Sequence, residues 1–243
     1  MNRRGIATLL VVLGCFLLLL CMGCGRTINR AAERRIRDAL PDILGPARQY
    51  KAHVANAPER TVQGRLASVE IDGDGVQLSN GLILDHLHLD LKGVEVDTGQ
   101  KRVKQIREAL FTATIRQADL DEYLAGESPI GETLKEVRLT LMANNQVTLT
   151  GKRLVLGLGV PFRMTGPLRV VTPQKIELDS TRLVVIGIPI SGGPLHFLKQ
   201  RFESAMDLST LPIPIQVTQV QTEKGKLILS GTADVVAILQ RTK

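Results

Sequence analysis

Residues 82–97 read LILDHLHLDLKGVEVD, and the period of this stretch decides the fold class. Ile83, Leu87, Leu89 and Leu91 fall on one parity, His86, His88, Asp90 and Lys92 on the other. That is the two-residue repeat of a strand with one face buried and one in water. The same period precedes it. Ala67, Val69 and Ile71 alternate with Ser68, Glu70 and Asp72; beyond a turn expected at Asp72-Gly73-Asp74-Gly75, Val76 and Leu78 alternate with Gln77 and Ser79. A further strand is expected around Val103 to Arg116, then a short helix from about Gln117 to Ala125 with Leu120 and Leu124 on one face.

The second half repeats the theme. Val137, Leu139 and Leu141 lead through Asn144-Asn145 to Val147 and Leu149; Ile215 and Val217 lead through Lys224-Gly225 to Leu227 and Leu229. The segments QVTLTG and KLILSG read as variants of one hairpin unit. Between them, Ser191-Gly192-Gly193-Pro194 signals the start of a helix that runs to about Leu208 with Leu195, Leu198, Phe202 and Met206 as its stripe. No low-complexity run or charge block divides residues 52–243. They read as one α+β domain, a long, highly curved antiparallel sheet wrapping one or two helices.

Of 243 residues 44% are hydrophobic but only 3% aromatic, with no Trp, so a core must be built from Leu, Ile, Val and Ala. Scarce rings argue against surfaces that stack bases or sugars. The net charge of +7 invites a nucleic-acid reading, yet through Lys51 nine basic residues face three acids, whereas the remainder carries 22 basic and 21 acidic groups. The body is nearly neutral, which excludes the charged groove a nucleic acid needs.

The charge instead hugs Gly5–Gly25, 21 residues without a charge between Arg4 and Arg26. As a helix it would extend roughly 31 Å, about the thickness of a bilayer's hydrocarbon core. Residues 1–25 are expected to be an export signal, a lipoprotein signal or a membrane anchor. All three cysteines, Cys15, Cys21 and Cys24, lie here, so the body has neither disulfide nor zinc-thiolate site. Gly23 before Cys24 resembles a lipobox and makes Cys24 the candidate lipidation site, although Cys21 stands where such a motif prefers Leu. Five arginines just after the span would by themselves hold the body in the cytoplasm. A removed or lipidated segment reverses this, placing Arg26, Arg30, Arg34, Arg35 and Arg37 against anionic head groups outside it. Residues 26–51 form the basic membrane-proximal unit, with a helix from Thr27 to Leu44 on the stripe Ile28, Ala32, Ile36, Ala39 and Leu40, broken by Pro41 and Gly45-Pro46.

Motifs for catalysis are lacking. His86 and His88 share a strand face with Asp90 and Lys92, as on a solvated surface rather than in a zinc site; Asp72-Gly-Asp-Gly lacks the distal Glu of a calcium loop. His53 and His196 stand alone. Gly157-Leu-Gly159 lacks the third glycine of a dinucleotide fingerprint, no G-x-S-x-G occurs, and Asp119, Asp121 and Glu122 sit in or beside a short helix. No cofactor or metal is expected, and the chain reads as a non-enzyme. Its aliphatic strand rows could enclose acyl chains or a dry core, and periodicity does not separate the two.

Five segments taken in order, Gly64–Ile71 (GRLASVEI), Leu82–Asp97, Phe111–Leu124 (FTATIRQADLDEYL), Asp207–Thr218 (DLSTLPIPIQVT) and Lys226–Gly231 (KLILSG), resemble the LmeA-like phospholipid-binding family of bacterial envelope proteins. The resemblance covers roughly residues 27 to 235. It implies an exported or membrane-anchored phospholipid binder, similar to the tubular lipid-binding, BPI-like proteins in which a half-barrel sheet wraps a long helix. It transfers no catalytic residue. By face and period, the lining expected for acyl chains is Val69, Ile71, Leu87, Leu89, Val137 and Leu139 from strands, with Leu195, Leu198, Phe202 and Met206 from the helix. The expected partners are phospholipid and, through the N-terminal segment, a membrane. The competing expectation is a membrane-anchored interaction protein with a closed aliphatic core and no lipid.

Overall fold

A computed structural model describes residues 27–97, 102–126, 128, 130, 134–180, 182–210 and 214–234. Helix α1 spans residues 27–44. It is followed by β1 (Gln49–Ala55), α2 (Pro58–Val62), β2 (Arg65–Gln77), β3 (Ile83–Asp97), β4 (Arg102–Gln105), β5 (Glu108–Arg116) and α3 (Gln117–Ala125). Then come β6 (Leu134–Leu141), β7 (Gln146–Val155), β8 (Leu158–Thr172), β9 (Lys175–Leu178), β10 (Leu183–Val185), β11 (Ile188–Ile190) and α4 (Gly193–Ala205). A 3-10 turn (Leu208–Thr210), β12 (Ile215–Glu223) and β13 (Lys226–Ala233) follow.

The fold is α+β and its pairings are antiparallel, but the strands make two sheets rather than the single long sheet expected. The first has the order β1-β2-β3-β5-β13-β12, with β4 on the end of β3; the second has the order β11-β10-β8-β7-β6, with β9 on β8. Neither path closes on itself. The chain leaves the first sheet after β5, builds the second, and returns so that β13 lies between β5 and β12, with Lys226 opposite Arg116. Alternation dictates which residues turn inward, but a period of two is the same in every strand and leaves the choice of neighbours open. QVTLTG therefore falls in one sheet and KLILSG in the other. One hydrophobic cluster joins both.

The expected turn at Asp72–Gly75 is absent. β2 runs straight through it and turns at residues 78–82, where Leu78 N–H donates to the Leu82 carbonyl. Gly75 and Gly93 both have φ +63°, a conformation glycine adopts without strain. Each interrupts the β2–β3 ladder and shifts the alternation by one residue. Leu84, Leu87, Leu89, Leu91 and Val94 consequently face in, and Ile83, expected with them, is only half-buried. Such local irregularities add twist to the hairpin.

Helix α1 caps the apolar face of the first sheet. It runs past Pro41, whose missing N–H costs one bond near the exposed end, and stops at Gly45 (φ 108°), which donates to the Pro41 carbonyl. One flank is fastened to β1. Glu33 Oε1 accepts from Val54 N–H at 3.0 Å and lies 3.2 Å from His53 Nδ1; Asn29 Nδ2 donates to the Asn56 carbonyl at 2.9 Å. β1 begins at Gln49, so the expected boundary at residue 51 cuts a strand.

The sheets meet through α3. Side chains four apart on a helix are separated by about 6 Å, close to the two-residue repeat of a strand. Gln117 Oε1 and Asp121 Oδ1 use this match to accept from Leu141 N–H (3.1 Å) and Leu139 N–H (2.7 Å) on the edge of β6. Asn145, at φ 60°, adds a bridge, donating to the Val220 carbonyl (3.0 Å) and accepting from Thr222 N–H (2.9 Å).

Burial raises the Asp121 carboxyl above the ordinary carboxylate range, against the opposing pull of the Leu139 amide and Arg138. The folded chain therefore holds this proton more tightly than the unfolded chain, and stability from Asp121 falls as pH rises from the unfolded value of about 3.9 through the raised one. Asp121→Asn retains an acceptor for Leu139 and is expected to remove this pH dependence from urea-denaturation curves. Asp121→Ala leaves the amide unpaired and should cost about 1 kcal/mol or more at neutral pH.

Candidate functional site

Between α1 and the first sheet lies a cavity of about 1020 Å³ that is not fully enclosed. Its floor is the inward row of the sheet, with Val69 and Ile71 from β2, Leu87, Leu89 and Leu91 from β3, and Phe111, Ala113 and Ile115 from β5. Its roof is the stripe of α1: Ile28, Ala32, Ile36, Ala39, Leu40 and Ile43. Ile215 of β12 and Leu229 and Ala233 of β13 complete the far wall. Apart from Phe111 these side chains are aliphatic, because the strands bury one face, so the cavity inherits a smooth apolar wall from ordinary period-two patterning.

Arg35 is the one charged side chain among the lining residues, and Thr61 brings the one hydroxyl. Arg35 is exposed and shares its flank of the helix with Ala31 and Ala39, which also line the cavity. That flank lies opposite the one fastened to β1 through Asn29 and Glu33. The free side of α1 therefore faces β12 and β13, with a guanidinium at its rim. Among the described residues Arg35 has no ion pair.

The residues expected to line the site are divided by the two sheets. Val69, Ile71, Leu87 and Leu89 are on the cavity floor. Val137 and Leu139 belong to β6, and Leu198, Phe202 and Met206 are buried around α4 in the core of the second sheet, with Leu195 half-buried beside them. None of these six touches the cavity. The helix expected to lie in a groove instead seals its own sheet: Phe202 is 0% exposed, Lys199 Nζ pairs with Glu177 of β9 at 2.7 Å, and Tyr123 O–H of α3 donates to the Ala205 carbonyl. It ends at Ala205 rather than Leu208, with Gly192 as its N-cap and Pro194 in the first turn. Leu208, just beyond, does reach the cavity.

The arginines expected at a membrane surface are also separated. Arg30, Arg34 and Arg37 are exposed on α1, and Arg37 pairs with Asp38 at 3.1 Å; Arg26 and the proposed lipidation site Cys24 lie outside the described residues. The lining expected from face and period does not include the roof, because spacings of three and four define the α1 stripe but not what it covers.

The titratable side chains singled out elsewhere are held in pairs and hydrogen bonds. His86 Nδ1 lies 2.9 Å from Asp74 Oδ1, and His88 Nδ1 lies 2.8 Å from Asp72 Oδ1, as cross-strand pairs on the outer face of the β2–β3 hairpin. The hydrogen bond from His86 lowers the Asp74 carboxyl below its usual range. Asp119 is buried against the Arg116 guanidinium at 2.9 Å. Burial pushes the Tyr50 phenol up to about 12, and its O–H donates to the Gly45 carbonyl where α1 ends. Among the described residues no three His, Cys, Asp or Glu side chains are placed to share a metal ion, and no helix is long and apolar enough to cross a membrane.

A family model described as LmeA-like phospholipid-binding matches residues 24–232, nearly the whole chain. The chain belongs to that family, and membership suggests lipid binding. No curated protein and no solved structure matches it.

The partition of the site has a measurable consequence. Phe202→Ala opens a void in the second core and should cost about 3–5 kcal/mol in urea unfolding, as for other buried aromatics. Leu89→Ala, whose side chain borders a cavity that already exists, should cost less than the 2–5 kcal/mol typical of a packed leucine.

Proposed function

We propose that this protein is a non-enzymatic phospholipid carrier of the bacterial cell envelope that holds acyl chains between α1 and the first sheet. One observation carries the reading: an aliphatic cavity of about 1020 Å³ with a single arginine at its rim, in a chain of a phospholipid-binding family. The volume is at the upper end of the range of roughly 300–1,000 Å³ for small-molecule pockets. At about 30 Å³ for a methylene-sized unit, comparable to a water's share of liquid volume, it has room for on the order of thirty such units, the bulk of two acyl chains.

The energetics favour exchange rather than capture. Each buried methylene is worth about 0.8 kcal/mol, and a chain leaving a bilayer gives up about the same per methylene, so a matching apolar wall makes extraction nearly neutral. The lipid would enter on the side of α1 that is not fastened to β1, passing Ile215 and Ala233. Arg35 then meets the phosphodiester as the tails slide under the helix. Residues 1–25 would tether the body, with Cys24 as the lipidation site, on the outer face of the membrane. The dry-core alternative describes the second sheet, where Leu139, Leu149, Met164 and Phe202 are fully buried.

The chain from residue 27 onward should carry phospholipid detectable by native mass spectrometry. Preparations that are free of lipid and also refuse added lipid would overturn the reading. Leu89→Asp places a carboxylate on the cavity floor and is expected to abolish loading in a protein that retains its far-ultraviolet circular dichroism. Arg35→Ala should weaken uptake of anionic phospholipid by about tenfold, the worth of one charge-assisted contact, with an unchanged melting temperature because the side chain is exposed.

A further inference from the structure

The second sheet ends in two turns whose residue types contradict their backbone. Val155 pairs with Leu158 and Val185 with Ile188, leaving two-residue loops, Leu156-Gly157 and Ile186-Gly187. In both, the two central residues have positive φ: 49° and 81° in the first, 50° and 79° in the second. Asn or Asp is the ordinary choice for the first of these positions, and a β-branched residue there is an outlier. Yet this chain places Leu and Ile at the apices. Leu156 is 99% exposed, and Leu154, Leu158, Ile186 and Ile188 are exposed around it. Neither local conformation nor packing accounts for these side chains.

Both turns project from one end of the sheet. β10 runs antiparallel to β8 with Val185 opposite Phe162, so the second turn passes the start of β8 beside the first. The other end of the sheet is attached to β12, where Val217 N–H donates to the Pro173 carbonyl and Asn145 bridges to Val220 and Thr222. The apolar tips are therefore remote from the cavity.

Cations predominate around the tips. Along the strands that flank the first turn, Lys152 to Arg163 includes three basic residues and no acid, and along those that flank the second, Arg182 to Ile190 includes one basic residue and no acid. Lys152, Arg169 and Lys199 are paired with Glu136, Asp179 and Glu177. Among the described residues Arg153, Arg163, Arg182 and Arg201 have no acidic partner. The Arg153 guanidinium lies 4.4 Å and that of Arg201 5.4 Å from the centre of the Phe197 ring, while Arg163 and Arg182 share a shallow cleft with Thr165. Arg153 is three residues, about 10 Å of strand, behind Leu156. An apolar element buried about 5–10 Å into a bilayer would set that guanidinium at the level of the head groups.

We propose that the two turns are a docking end for an anionic lipid bilayer, with Leu156 and Ile186 entering the acyl boundary and the unpaired arginines meeting lipid phosphates. Two narrow apices ringed by cations fit a fluid anionic surface better than the broad flat contact of a protein partner. The site is separate from the cavity and does not require the cavity to hold lipid.

The chain has no Trp, so Leu156→Trp in the full protein introduces a single tryptophan that can be excited apart from the two tyrosines. With vesicles of phosphatidylcholine and phosphatidylglycerol, the expected result is a blue-shifted emission quenched by brominated lipid. Quenching should be weaker with phosphatidylcholine alone, and reduced about tenfold in apparent affinity by Arg153→Glu with Arg163→Glu. Val171→Trp, exposed on the opposite end of β8, should remain unquenched. Ile188→Trp, at an ordinary ladder position, provides a second reporter should position 156 not tolerate the ring. Unquenched emission from both tip reporters overturns the proposal. A blue shift that depends on protein concentration and not on lipid overturns it in favour of self-association. Leu156→Asn with Ile186→Asn, residues suited to positive φ, should fold with an equal or higher melting temperature. Quenching at position 188 must then fall; full quenching in that variant also overturns the assignment.

Discussion

One helix is too narrow to cover the sheet it must cover. A helix with its side chains is about 10 Å across, and six strands at about 4.8 Å spacing extend roughly 24 Å. The inward rows of the first sheet are nevertheless almost wholly apolar, and water is excluded from them only if something fills the remainder. α1 fastens to β1 through Asn29 and Glu33 and so covers one side, leaving an open flank towards β12 and β13. The cavity follows from this mismatch of widths and requires no special residues. Among the lining residues only Arg35, at the edge of the uncovered strip, is charged.

The second sheet solves the same problem differently. α4 covers one part of it through Leu198 and Phe202, and α3 covers the β6 edge through Leu120 and Leu124, so that Leu139, Leu149, Met164 and Phe202 are fully buried. α3 also satisfies the amides of that edge with Gln117 and Asp121. An edge strand so occupied cannot recruit another chain, and the two sheets acquire a fixed relation. A sheet with a cavity on its apolar face is thus joined to a tightly packed one.

Much of the secondary structure could be read from the residues alone. α3 follows from the spacing of Leu120 and Leu124, and β3 from its alternating leucines. The departures have specific causes. Gly75 and Gly93 shift the inward parity at the ends of the β2–β3 hairpin, exchanging Ile83 for Leu84, and the Asp-Gly-Asp-Gly segment is strand because its aspartates pair with His88 and His86. Six of the ten positions expected to meet lipid lie away from the cavity, Val137 and Leu139 in β6 and the other four on or just beyond α4. Val137 and Val69 look alike in sequence, and what separates them is the strand each pairs with. The Leu156-Gly157 and Ile186-Gly187 turns are not legible in residue type, since the first residue of each is unsuited to the positive φ it adopts.

The sequence by itself determined the membership of the family, the largely aliphatic character of the inward rows, and the position of α1, α3 and α4, because these depend on local period and residue type. The tertiary structure alone decided that the strands divide into two sheets, which of two helices roofs a cavity and which closes a core, and that Arg35 stands at a rim. Those outcomes depend on pairing between segments more than a hundred residues apart, such as Lys226 with Arg116, and no local pattern encodes such a choice.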